Sequence, residues 1–131
     1  MKIAADTNVL VRVITEDDEA QAGIARNVLS RAELVAVALP ALCELSWVLS
    51  RLYRYSPSEI AMVIRTLVKP SNIAVNRPAV DAGLSFVDAG GDFADGVIVH
   101  EGRWLGGEMF VSFDKAAVRF AMARGGEARL L

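Results

Sequence analysis

Five carboxylates in this chain stand where they could do chemistry together. Asp6 closes the apolar run KIAA at 2–5, and Asp114 closes EMFVSF at 108–113. Asp92 and Asp95 lie three residues apart at the head of a helical pattern, and Glu44 falls early in the pattern that follows LVAVAL at 34–39. Acids at the carboxyl ends of parallel strands and in the first turns of the following helices point toward one sheet edge, where open α/β folds bind ligands. Convergent carboxylates repel one another unless protons or cations neutralise them. Oxygen donors without cysteine or histidine favour Mg²⁺ or Mn²⁺ over zinc. Such ions activate water and stabilise a leaving oxygen, which is the chemistry of phosphodiester hydrolysis.

Each acid also has a plainer reading. Asp92 at a cap with Asp95 three residues on is ordinary helix-start chemistry, and Asp114 before KAAVRF reads as another cap. Asp6, between IAA and VLV, and Glu44, within ALCELSWVL, are harder to read this way, because apolar neighbours suggest burial and an unpaired buried carboxylate is costly.

The elements that must position these acids alternate. Short strands are expected at 2–5, 34–39, 72–75, 108–113 and 127–131, with helices at 17–32, 41–54, 57–69, 78–89, 92–103 and 115–124. The pattern at 17–32 places acids first and Arg31 last, as the helix dipole prefers. SPSEI at 56–60 is a capping box with Pro57 at the first helical position, and 41–54 with 57–69 form a helical hairpin. Gly125-Gly126 stops the last helix. The alternation predicts an α/β fold, a mostly parallel sheet of about five strands between helical layers, and a single domain over 1–131.

Composition narrows the class. The chain is 53% hydrophobic with a net charge of −2, which argues against gripping nucleic acid by charge alone. No apolar run approaches the ~18 residues of a membrane span, and Lys2 is followed by only three apolar residues before Asp6, unlike a signal peptide. A cytoplasmic protein is expected. The single cysteine, Cys43, excludes an internal disulfide and any multi-cysteine zinc site.

IAADTNVLVR at 3–12, LPALCELSWVL at 39–49, DFADGVIV at 92–99 and VSFDKAAVRF at 111–120 together resemble the PIN-domain ribonucleases, and among them the VapC-type toxins of bacterial toxin–antitoxin modules. The resemblance implies an α/β/α sandwich and Mg²⁺-dependent endonucleolytic cleavage of RNA, with Mn²⁺ able to substitute. It places the family's catalytic and metal-binding acids on Asp6, Glu44, Asp95 and Asp114, with Asp92 as a further metal ligand or a cap. Thr7 and Asn8 match the polar pair that supports the first acid. The reaction implied is in-line attack of water on a phosphodiester, leaving a 5′-phosphate and a 3′-hydroxyl. The partners implied are RNA, such as tRNA or another structured RNA, a cognate antitoxin protein and a second copy of the chain as a homodimer, with no membrane. Gly96 and Ser112 depart from the alanine and threonine common there, and Gly96 is expected to loosen its helix.

Other readings compete. A receiver domain wants paired acids after its first strand, whereas this chain has one. A haloacid-dehalogenase-type phosphatase needs an aspartate where Asn8 stands, and a PIN fold that only binds RNA would not need all four acids. His100, the only histidine, lies two turns into its helix, away from the acids. Trp104 reads as packing or interface. Arg12 and Lys115 read as solvated surface or as RNA-backbone contacts. The segment LSWVLSRLYRY at 45–55, with Trp47, Leu49, Leu52, Tyr53 and Tyr55, is apolar on more than one helical face. It reads either as a buried helix or as one wall of a groove between helices 41–54 and 57–69 that receives the antitoxin.

Overall fold

In the computed structural model, which describes all 131 residues, the chain forms two compact units, Met1–Asn76 and Arg77–Leu131. The N-terminal unit begins with β1 (Lys2–Ala4), followed by α1 (Thr7–Thr15), α2 (Glu19–Arg31), β2 (Leu34–Ala36), α3 (Leu39–Arg51), α4 (Pro57–Leu67) and β3 (Ile73–Ala74). Its strands are parallel in the order β1-β2-β3, with Ile3 opposite Val35 and Val35 opposite Ile73. Val35 is fully buried along with Leu10, Leu42, Leu45, Leu49 and Ile64, so α1, α3 and α4 each contribute a fully buried large side chain, and α2 adds Ala22, Ala25 and Leu29.

The caps explain where these helices start. Asp18 accepts the Gln21 N–H at 3.0 Å to open α2, and Arg31 stands in its last turn. Ser56 and Glu59 exchange the two bonds of the expected capping box at the start of α4. Asn72 fastens the approach to β3, donating its side-chain amide to the carbonyls of Leu29 and Ala32 at 2.9 and 3.1 Å.

Helix α1 is the one element missing from the sequence reading. TNVLVRVIT is rich in β-branched residues, which are poor helix formers. Here the Asp6 cap and burial of Thr7, Leu10 and Val11 on one face outweigh propensity.

The C-terminal unit contains α5 (Arg77–Asp88), α6 (Phe93–Trp104), β4 (Met109–Ser112), α7 (Lys115–Ala123) and β5 (Glu127–Leu130). Strands β4 and β5 are parallel, joined through α7, and pair from Met109–Glu127 to Ser112–Leu130. All strand pairing is thus parallel, as expected, with the five strands distributed over a three-stranded and a two-stranded sheet. Gly125, at φ +80°, turns the chain after α7 in the left-handed region that glycine occupies without penalty.

Helices α5 and α6 approach closely because both carry glycine at the crossing. A Cβ on Gly96 would stand 2.5 Å from the Ala82 carbonyl oxygen, and one on Gly83 would stand 2.6 Å from the Phe93 ring. Gly96 therefore does not loosen α6 as expected from its helix propensity. It is buried, and it is what lets α6 seat against α5. The fully buried Phe93 lies against Gly83 at that crossing, and Phe86 of α5 pairs with Phe120 of α7, ring centroids 6.0 Å apart.

Candidate active site

Every motif acid lies at or near a helix start. Asp6 is the N-cap of α1, and its carboxylate accepts the Thr7 N–H at 2.7 Å. Thr7 is buried, whereas Asn8 faces a cavity of about 420 Å³ that it shares with Arg12 and Gln21. Arg12 donates to Gln21 at 2.6 Å and pairs with Asp17 at 3.2 Å, so it already has partners within the fold. Glu44 lies in the second turn of α3.

Apolar neighbours in sequence do not enclose Asp6 or Glu44, and both side chains are exposed. In α3 the helical period puts Ala41, Leu42, Leu45 and Leu49 on the buried face and turns Glu44 and Trp47 outward.

The remaining three acids belong to the C-terminal unit. Asp92 caps α6, its Oδ1 accepting the Asp95 N–H at 3.2 Å. Asp114 caps α7, its Oδ1 accepting the N–H groups of Ala116 and Ala117 at 2.8 and 3.2 Å. The Ser112 hydroxyl accepts the Asp114 N–H at 2.9 Å, so serine at this position holds the acid's backbone. This Ser-x-Asp turn is readable in sequence, although Ser112 drew notice there only as a departure from threonine.

Asp95 caps nothing. It is half-buried, and its carboxyl is pushed up to about 6, first by desolvation and then by the negative charges of Asp92 and Asp114. The caps and the cluster are therefore the same residues: two acids fix helix starts, and together they bear electrostatically on the third.

The acids of the C-terminal unit offer only oxygen donors, and the repulsion that Asp92 and Asp114 exert on Asp95 is of the kind a hard divalent cation would discharge. No group of three or more His, Cys, Asp or Glu side chains is gathered closely enough to cage an ion.

Of the other residues singled out in sequence, His100 lies in the later half of α6, with its Nε2 buried and without a hydrogen-bond partner. Trp104 at the end of α6 is 74% exposed, so it does not serve as packing. In the N-terminal unit Leu49 is buried, and the Tyr53 hydroxyl donates to Asp17 at 2.6 Å, while Trp47 is 54% exposed. The apolar groove of this unit, about 1010 Å³, lies between α1, α2, α4 and β3, lined by residues such as Ile14, Leu29, Met62, Val63 and Leu67. No residue of α3 lines it, so it is not the groove expected between 41–54 and 57–69. No helix is long and apolar enough to cross a membrane.

The family model for the PIN domain matches residues 3–121, a span that includes Asp6, Glu44, Asp92, Asp95 and Asp114. No curated protein matches the chain.

Proposed function

The chain belongs to the PIN domain family, a family of nucleases, and from that premise we propose that it is a metal-dependent endoribonuclease acting as the toxin of a toxin–antitoxin pair. The observation that carries the catalytic part is Asp95, a half-buried carboxyl raised first by desolvation and then by two neighbouring acids that each cap a helix. In the first turn of α6 Asp95 gains only the modest helix-dipole attraction, set against desolvation and repulsion by two acids, whereas a cation site uses the third acid in full. Asp6, Glu44, Asp95 and Asp114 are the ligands and catalytic acids, and Asp92 combines its capping role with a supporting negative charge. When bound, Mg²⁺ or Mn²⁺ supplies water activation and charge neutralisation at the leaving oxygen.

The chain's own residues supply position. Asp92 fixes the first turn of α6 and so the direction of Asp95. Ser112 and the amides of Ala116 and Ala117 hold Asp114 in one orientation. One of these acids also takes the proton of the attacking water. The products are a 5′-phosphate and a 3′-hydroxyl.

The apolar groove between α1, α2 and α4 supports the partner part of the reading. Met62 is largely exposed at its wall, and such a surface suits the apolar face of an antitoxin segment. Exposed Trp47 supports a further contact, with the antitoxin or with a second copy in a homodimer.

The test is cleavage of labelled RNA by the purified protein. Cutting is expected with Mn²⁺ or Mg²⁺, arrest with EDTA, and neutralisation by the cognate antitoxin that Met62→Asp weakens. Cutting that survives complete chelation, in a preparation cleared of metal-independent ribonuclease, overturns the metal assignment. RNA that is bound and never cut reduces the chain to an RNA-binding PIN fold.

A further inference from the structure

Phe113 is 82% exposed, although phenylalanine is a residue that folds usually bury. The others are sheltered to some degree: Phe86 and Phe93 are buried, and Phe110 and Phe120 are partly covered. Phe113 occupies the bend between β4 and α7, one peptide bond from Asp114. That bend is rigid on both sides, since Ser112 holds the Asp114 N–H and Asp114 holds the amides of Ala116 and Ala117. The main chain that carries the exposed ring is therefore fixed next to the Asp114 cap.

Its surroundings are cationic at one end. Lys115, the next residue but one, is exposed. Arg129 pairs in register with Val111, so the two side chains leave the sheet on the same side, and both are exposed. Glu127, the register partner of Met109, marks the opposite end of the strand with negative charge.

We propose that Phe113 is the base-stacking platform of the RNA site: an unpaired nucleobase lies on its ring while Lys115 and Arg129 meet the flanking phosphates. Single-stranded RNA is held elsewhere in the protein world by this combination of aromatic faces and cations along the backbone. In this chain stacking has to carry more than usual, because a net charge of −2 supplies little general attraction for a polyanion. The charge distribution also gives the strand a path, leaving the acids over Phe113 toward Arg129 and away from Glu127. The platform selects unpaired over base-paired RNA, because a base within a helix has no free face to offer.

This inference rests on the nuclease reading, and its test keeps the two apart. Full-length protein, Phe113→Ala, Phe113→Leu and Phe113→Trp are compared on a labelled single-stranded RNA, by cleavage in Mn²⁺ and by fluorescence anisotropy in EDTA. Circular dichroism confirms that each variant is folded. Removing the aromatic face, with Ala or with the equally apolar Leu, is expected to raise KM and Kd on the order of 10-fold while kcat stays within about twofold. Tryptophan is expected to restore both. An RNA with an abasic nucleotide next to the cleaved bond should lose the same factor on the parent protein and nothing further on Phe113→Ala, a coupling that a purely structural role would not produce. Trp104→Ala, at the far end of α6, should change neither constant.

If the parent protein cuts RNA and both Phe113→Ala and Phe113→Leu keep its KM, the platform is overturned and the nuclease reading stands. If the parent neither binds nor cuts RNA, both readings fall. Unchanged RNA constants together with loss of self-association in sedimentation would make this face a protein interface and likewise overturn the platform.

Discussion

Helices α1 and α6 both start at an aspartate that accepts a backbone N–H of the first turn, from the next residue in α1 and from the third in α6, yet only α6 carries a surplus. At α1 a single carboxylate, Asp6, is met by the Thr7 amide. At α6 the capping Asp92 is followed by Asp95, which caps nothing, and Asp114 at the start of α7 adds its charge. A cap of the first kind improves a fold by about 1 kcal/mol and needs nothing else. A cluster of the second kind costs stability until something positive arrives. The comparison separates acids that also shape the chain as caps from Asp95, which closes no cap of its own.

The largest effect that sharpens this contrast is on activity. Asp95→Asn keeps the side chain's shape and removes a charge, so RNA cleavage should fall at least about 100-fold, the scale of losing a metal-ordering group. In metal-free buffer its melting temperature should equal or exceed the parent's, because repulsion with Asp92 and Asp114 is relieved. Differential scanning calorimetry and a cleavage assay on one preparation check both halves. A variant that melts lower and cuts RNA at the parental rate would put Asp95 with the ordinary caps.

A pair of helical glycines breaks the comparison at the level of packing. Gly96→Ala sets a methyl against the Ala82 backbone and should destabilise by about 1–3 kcal/mol in denaturant titration. Gly23, within α2, has nothing within 4 Å of the space its Cβ would fill. Gly23→Ala should therefore stabilise by about 0.5–1 kcal/mol through lower unfolded-state entropy. Equal effects at the two sites would mean that α5 yields to α6 readily.

The smallest expected effect is a pH dependence. The folded Asp95 carboxyl, at about 6, lies above its unfolded value near 3.8, so the native state binds the proton more tightly. Its contribution is most favourable below about pH 4 and is lost as pH rises through 6. Solvent around a half-exposed group limits the loss to about 1 kcal/mol. The metal-free parent minus Asp95→Asn difference in stability, measured from pH 4 to 7, should fall across that window and then level. Added Mn²⁺ should reverse the slope, because the ion competes with the proton for the same oxygens.

The strands and most helices were legible in the chain because their signals agree: apolar runs bounded by caps such as Ser56 and Asp18 and by the stop at Gly125. Helix α1 was hidden because its residues favour strands individually and become helical only through shared burial. The exposure of Asp6 and Glu44 was hidden for a related reason. Runs such as ALCELSWVL record which residues are apolar but not where the helix turns them. The acid motifs themselves were plain, whereas the double duty of Asp92 and Asp114 as caps and repellers needed three dimensions. Phe113 was the least visible. In FVSF it reads as one more strand residue, and only the bend fixed by Ser112 and Asp114 sets it apart.

The close crossing at Gly96 also constrains how this protein can vary. The atom that an alanine there would strike is a main-chain oxygen, so trimming the side chain of Ala82 makes no room. Alanine becomes acceptable only after α5 has moved as a body, which requires earlier changes around Gly83 and Phe93. The order of substitutions therefore matters, and a route that begins at 96 is closed. Helix α5 carries none of the motif acids, yet it sets which sequences are reachable beside Asp95.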